Sequence, residues 1–202
     1  MYIAIINYNM GNIKSVENAF KKIGAEIKVT RSPEIIKKAG AVVLPGVGSF
    51  KDAIKNLNEL NLINSVKNSI SGKLFLGICI GMQILFEYSV EDGRHKGLGI
   101  FKGVVEKIPP IVKVPHMGWN RVEIKKKDSR IFSEIKSGQS FYFVHSYHSV
   151  VQDESIISSV TDYGIKIVSS IEKDNVFGFQ FHPEKSSTLG LKLLENFWNM
   201  AK

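Results

Sequence analysis

The sequence predicts an α/β protein: a mostly parallel central sheet flanked by helices on both faces, with additional antiparallel strands in the second half. Three observations lead there. Short β-branched apolar runs alternate with segments of helical period through the first eighty residues, the signature of strand–helix–strand units whose sheet is covered on both sides. Strand-like runs then crowd residues 99–181 with few helical segments between them. A helical stripe closes the chain.

Tyr2–Tyr8 is an apolar run suited to a buried parallel strand. Ile13, Val16, Phe20 and Ile23 then recur at helical spacing, with Gly24 as the stop. Glu26–Thr30 reads as a second strand, and Ser32-Pro33-Glu34 as a helix start carrying a capping hydroxyl, a first-turn proline and an early acid. Ala41–Leu44 is a third strand, leaving through the loop Pro45-Gly46-Val47-Gly48. Phe50–Leu57 and Leu62–Ile70 are helical, and Leu74–Ile78 is the next buried strand. In the second half, Gly99–Lys107, Arg121–Ile124, Ser140–Val144, Ser146–Val151, Ile165–Ile171 and Val176–Phe181 read as strands. Leu189, Leu193, Leu194, Phe197 and Trp198 form the apolar stripe of a final helix that packs on the core.

At 202 residues, 44% hydrophobic and 23% charged, the chain can bury a substantial core, and residues 1–202 are expected to form one domain. No apolar run approaches the ~18 residues of a membrane span, and the first residues lack the basic region of a secretory leader. Cys79 is the sole cysteine, which excludes an internal disulfide framework and points to a cytoplasmic setting. The formal charge of +8 comes from scattered lysines with one short run, Lys125–Lys127. With no basic helix and no aromatic–basic interleaving, that pattern describes a solvated surface, not a nucleic-acid interface.

The chemistry concentrates at Gly77-Ile78-Cys79-Ile80-Gly81, where an apolar strand meets a helical pattern. This is the cysteine form of the nucleophile elbow, a sharp strand-to-helix turn that holds its central residue in a strained conformation. The flanking positions are glycine because a Cβ there would strike neighbouring backbone. The turn lifts the sulfur clear of the sheet and sets it at a helix N-terminus, which favours thiolate. Of the five histidines, His182 ends a strand and opens His182-Pro183-Glu184. In an extended segment the Glu184 carboxylate shares a side with the His182 imidazole, so it can hold one ring nitrogen while the other faces the sulfur. Acyl chemistry also needs donors for an oxyanion. The N–H of Ile80 is one, and the N–H of Val47, on a loop whose Gly46 peptide is free to reorient, is the second; losing one such donor typically costs about 2.7–4 kcal/mol of barrier. His145 and His148 are read as structural or interface residues.

Pro45-Gly46-Val47-Gly48-Ser49-Phe50, Gly77–Gln83 and His182-Pro183-Glu184-Lys185 resemble, in order and spacing, the class I (triad-type) glutamine amidotransferases, and the likeness extends over nearly the whole chain. Met10-Gly11-Asn12, Pro115–Asn120 and Phe143–Tyr147 are similar to the glutaminase subunits of imidazole glycerol phosphate synthase. The resemblance implies a flavodoxin-like fold and a catalytic set of Cys79, His182 and Glu184. It implies that Cys79 attacks the glutamine amide and that ammonia passes to a separate (β/α)8-barrel synthase subunit. It further implies glutamine contacts from Gly46, Gly48, Gln83, Glu91, Ser146 and Tyr147, a docking face including Asn12, Trp119 and Lys185, and no metal or organic cofactor. One departure stands out: where the family usually reads close to Asp-Tyr-Gly, this chain has Asn7-Tyr8-Asn9 near the expected partner face. That leaves open a paralogous subunit that feeds ammonia to another synthase, such as one that amidates a sugar. A partner-independent cysteine hydrolase and a non-catalytic binding module are the readings of other classes.

Overall fold

The computed structural model describes residues 1–202. Its first half follows the sequence pattern: strands β1 (Ile3–Ile6), β2 (Ile27–Thr30), β3 (Ala41–Leu44) and β4 (Leu74–Ile78) alternate with helices α1 (Ile13–Lys22), α2 (Pro33–Lys38), α3 (Phe50–Glu59) and α4 (Ile63–Gly72). Each of α1, α2 and α3 starts on the side chain that caps it: Asn12, Ser32 and Ser49 accept from Ser15, Ile35 and Asp52 N–H groups. The short helix α5 (Ile80–Gln83) follows β4 directly.

The second half contains β5 (Tyr88–Ser89), β6 (His95–Lys96), β7 (Gly103–Lys107), β8 (His116–Arg121), β9 (Glu123–Ile124), β10 (Ser140–His145), β11 (Tyr147–Val151), β12 (Ile157–Asp162), β13 (Lys166–Lys173) and β14 (Val176–Phe179), then helix α6 (Ser187–Ala201). The main sheet runs β2-β1-β3-β4-β14-β13-β12-β9. From β2 to β14 neighbours are parallel; β13, β12 and β9 continue it antiparallel. Every residue of β1, β3 and β14 is buried, so these strands are covered on both faces. Strands β11-β7-β5-β6 form a second sheet and β10-β8 a ribbon. Fifty-one buried apolar residues make one connected core.

The expected strand at 99–107 begins only at Gly103, and the one expected at 121–124 is the end of β8 plus the two-residue β9. Two strands were hidden by their composition. β12 reads Ile-Ser-Ser-Val-Thr-Asp, yet Ser158 and Ser159 are fully buried because their hydroxyls bond Ser170 and Ser169 on β13 at 2.5–2.9 Å. Paired hydroxyls can sit where an apolar period would be expected. In β8 the usual alternation is inverted, with His116 buried and Met117 and Trp119 exposed.

Register brings the carboxyl ends of three parallel strands together. Leu44 pairs with Gly77, and Ile78 with Phe179. The Pro45–Gly48 loop, Cys79 and the Gln180–His182 segment therefore leave the sheet at one edge, where open parallel sheets place their ligands.

Candidate active site

Cys79 has φ +54° and ψ −111°, a backbone state that L-residues rarely occupy. Its N–H donates to the Phe179 carbonyl at 2.6 Å, and its own carbonyl accepts from Met82 and Gln83. The flanking glycines are required by close approach: a Cβ on Gly77 would stand 2.5 Å from the Gly81 carbonyl oxygen, and one on Gly81 would stand 1.9 Å from that of Leu44. The following helix is a single turn, shorter than the sequence pattern suggests. A macrodipole needs a run of aligned peptides, so a single turn adds little field at the sulfur.

His182 is held by four bonds, one of them from the Lys185 N–H to its carbonyl at 3.0 Å. Its N–H donates to the Tyr142 carbonyl at 2.9 Å. The Ser186 hydroxyl donates to the His182 carbonyl at 2.6 Å and accepts the Tyr142 N–H at 3.0 Å. The His182 Nδ1 lies 2.8 Å from the Glu184 Oε1, with the two side chains only 1% and 2% exposed. His182 itself is extended, but Glu184 returns to it through the single 3₁₀ turn Pro183–Lys185, not through the pleat of a strand. Burial alone would push this imidazole down; interaction with the Cys79 sulfur, and then with Glu184, overrides it and lifts the pKa to about 10. The Nε2 is out of water with no well-formed hydrogen bond.

Beside the sulfur lies a cavity of about 310 Å³, at the small end of ligand sites. Val47, Gly48, Cys79, Ile80, Gln83, Glu91, Ser146 and Tyr147 line it, joined by Pro115, Val144 and His145, none of them expected as a substrate contact and His145 expected as a structural or interface residue. Gly46 departs from expectation. It is buried behind the wall, where a Cβ would meet the Tyr8 hydroxyl at 2.7 Å and the Ile80 Cβ at 2.8 Å. Tyr8 donates to the Pro45 carbonyl at 2.7 Å and so anchors the start of this loop. Burial, with the nearby Cys79 charge, pushes the Tyr8 phenol well above its ordinary value, so it stays protonated as that donor.

Gln83 donates to both the Tyr147 carbonyl and the Gln180 Oε1 at 2.9 Å, while its own Oε1 is buried and unpartnered. Gln180 in turn points its Nε2 at the Cys79 sulfur, 3.7 Å away. One oxygen of Glu91 accepts the Phe50 N–H at the start of α3, 2.6 Å away. Partial burial raises the carboxyl pKa despite that bond. Ser186 and Gln180 are functional candidates the sequence reading missed. Both lie within four residues of His182, and that proximity was the available signal.

Trp119 and Met117 are 56% and 63% exposed on the outer face of β8. Trp119 meets Tyr142 edge-on, and the Lys185 ammonium sits 5.8 Å from the Tyr142 ring centroid. Asn12 is exposed too, but its side chain is occupied as the cap of α1. Asn9 adopts φ +64° and its Oδ1 receives Arg31 at 3.2 Å. Asparagine tolerates that conformation, so the departure from glycine costs the turn little.

These features define a class. The family model "Glutamine amidotransferase class-I" matches residues 4–200, and the chain belongs to this family. Within it, the chain is similar to the imidazole glycerol phosphate synthase subunit HisH of Aquifex aeolicus, 52% identical over 100% of this chain and 98% of that protein. It is likewise 49% identical to the subunit of the same name from Archaeoglobus fulgidus, over 99% of both chains. A solved structure described as PurLQS from Thermotoga maritima shares the fold, with a TM-score of 0.75 at 18% identity over 100% of this chain and 99% of that one. No helix is long and apolar enough to cross a membrane.

Proposed function

We propose that the chain is the glutaminase subunit of an imidazole glycerol phosphate synthase in histidine biosynthesis, and that it supplies ammonia to a (β/α)8-barrel subunit. The observation that carries the chemistry is the sequestered His182–Glu184 pair, its imidazole raised by the sulfur of a Cys79 held in a strained elbow beside an amino-acid-sized cavity. The extensive identity to relatives of that name supports the choice of pathway. A cytoplasmic location fits the same reading.

In this mechanism the Cys79 sulfur attacks the carbon of the glutamine side-chain amide. The Ile80 N–H, which opens α5 and has no carbonyl one turn behind it, and the Val47 N–H receive the developing oxyanion. The His182 imidazolium gives its proton to the departing nitrogen, releasing ammonia and leaving a γ-glutamyl thioester. The neutral imidazole then takes a proton from water, whose oxygen attacks the thioester; glutamate leaves and the thiolate–imidazolium pair returns. Glu184 keeps the ring oriented and balances its charge. Glu91, with one oxygen uncommitted, suits the α-ammonium. Trp119, Met117 and Lys185 form a docking face next to the strand that clamps His182.

The test is glutamate release from glutamine by the purified chain alone and with the barrel subunit of the histidine pathway. A steep rise on adding that subunit is expected. A rise only with a sugar-amidating synthase would select the paralogous reading, partner-independent peptide cleavage would select a hydrolase, and no release under any condition a binding module.

A further inference from the structure

Of the three buried histidines outside the catalytic set, His116 and His145 bond each other. His116, on the inner face of β8, stacks between Phe143 and Tyr163, with ring centroids 4.6 and 4.0 Å away. Its Nδ1 is 2.9 Å from the His145 Nε2, and the His145 Nδ1 is 2.8 Å from the Tyr147 carbonyl. At the other end, the Asn120 amide nitrogen reaches the His116 Nε2 at 3.2 Å and the Asp162 carbonyl at 3.0 Å.

The acceptors dictate every proton. A carbonyl can only accept, so the His145 Nδ1 carries hydrogen and its Nε2, in the neutral ring, accepts from the His116 Nδ1–H. The His116 Nε2 then accepts from Asn120. Both rings are neutral Nδ1–H tautomers, and a second proton on His145 would set two N–H groups against each other. Burial pushes the same way, lowering His116 to about 4 and His145 to about 3. The fields of His116, His148 and His182 on His145 act in that direction too. The chain of bonds ends at the carbonyl that also receives Gln83, which bonds Gln180, which faces the Cys79 sulfur.

We propose that His116 and His145 are positioning residues, a neutral relay of fixed direction that ties strand β8 to the Tyr147 wall of the substrate cavity. This deepens the glutaminase reading and rests on it for the identity of the substrate. Met117 and Trp119 occupy the outer face of the strand whose inner face carries His116 and Asn120. A partner seated on β8 therefore presses directly on the relay. His145 lines the cavity itself, so loosening it displaces the wall against which the amino acid binds.

The test combines nitrogen NMR of the two rings with kinetics of the complete complex. Long-range ¹H–¹⁵N spectra are expected to show both rings protonated at Nδ1 only, the tautomer free histidine disfavours, with no titration near the usual ~6.5. Either ring carrying its proton on Nε2, or titrating there, overturns the relay. His145→Leu is expected to raise the glutamine KM about tenfold, the scale of one lost buried hydrogen bond, with kcat changed less than KM. His145→Asn, whose amide can replace the Nδ1–H donor to Tyr147, is expected to restore most of it. His116→Phe, which keeps the ring stack, should raise KM in the same sense and serves if His145→Leu does not fold. Unchanged KM in a folded His116→Phe or His145→Leu complex overturns the inference. A wild-type complex releasing no glutamate overturns the glutaminase reading instead, while the tautomer measurement still judges the relay.

Discussion

The His182 Nδ1 and the Glu184 Oε1 stand 2.8 Å apart with both side chains almost sealed from water. The imidazole is raised to about 10 by the Cys79 sulfur and this carboxylate, against the effect of burial. Because that value lies above the ordinary ~6.5, the stabilisation linked to His182 is complete below about 6.5 and is lost as pH rises through about 10. The melting temperature of the wild type is therefore expected to fall between pH 7 and pH 10, and that of Glu184→Gln to fall less, read by thermal denaturation. The same variant should lose turnover by about a hundredfold or more while Cys79 remains alkylatable; unchanged turnover would remove Glu184 from the catalytic set.

Ser186 joins the His182–Lys185 turn to β10 by giving one hydrogen bond to His182 and taking one from Tyr142. Ser186→Ala removes the partner of the Tyr142 N–H and one of the two donors to the His182 carbonyl, which keeps the Lys185 N–H, at a cost of about 1 kcal/mol. Chemical denaturation should show that loss, with kcat reduced and the glutamine KM little changed.

The elbow tolerates no side chain at Gly81, where an added Cβ would lie 1.9 Å from backbone oxygen. Gly81→Ala should destabilise the fold by about 3 kcal/mol or more and abolish glutamine hydrolysis. A folded, fully active Gly81→Ala protein would contradict the close strand-to-elbow packing.

Trp119, more than half exposed, makes an edge contact with Tyr142 and is not part of the core. Trp119→Ala should leave the melting temperature of the isolated chain within a degree or two and weaken binding of the barrel subunit by about 2 kcal/mol or more, measured by titration calorimetry. Unchanged affinity would move the docking face elsewhere.

The parallel half of the fold was legible because its strands are short, apolar and separated by capped helices. The Cys79 elbow was legible because its glycine spacing has a steric reason, and the His182–Glu184 pairing was legible from the His-Pro-Glu order, although a 3₁₀ turn and not an extended segment brings the two together. The rest was hidden where polar groups satisfy one another inside. β12 buries serines paired with β13, and β8 turns a histidine inward and a tryptophan outward. Gly46 illustrates a different limit: a glycine beside a cavity can be needed by what lies behind it, and here that is the Tyr8 hydroxyl. Ser186 and Gln180 gave no periodic signal, since their importance arises from contacts with β10 and with Gln83, elements distant in the chain.

Acyl transfer to Cys79 is tested most directly by rapidly quenching the complex during turnover and measuring the mass of this chain. The expected result is a γ-glutamyl adduct that maps to Cys79, appears before glutamate accumulates and is absent from Cys79→Ala, whose complex still accepts free ammonia. Glutamine-driven synthesis continuing in Cys79→Ala, or an adduct on another residue, would contradict the account.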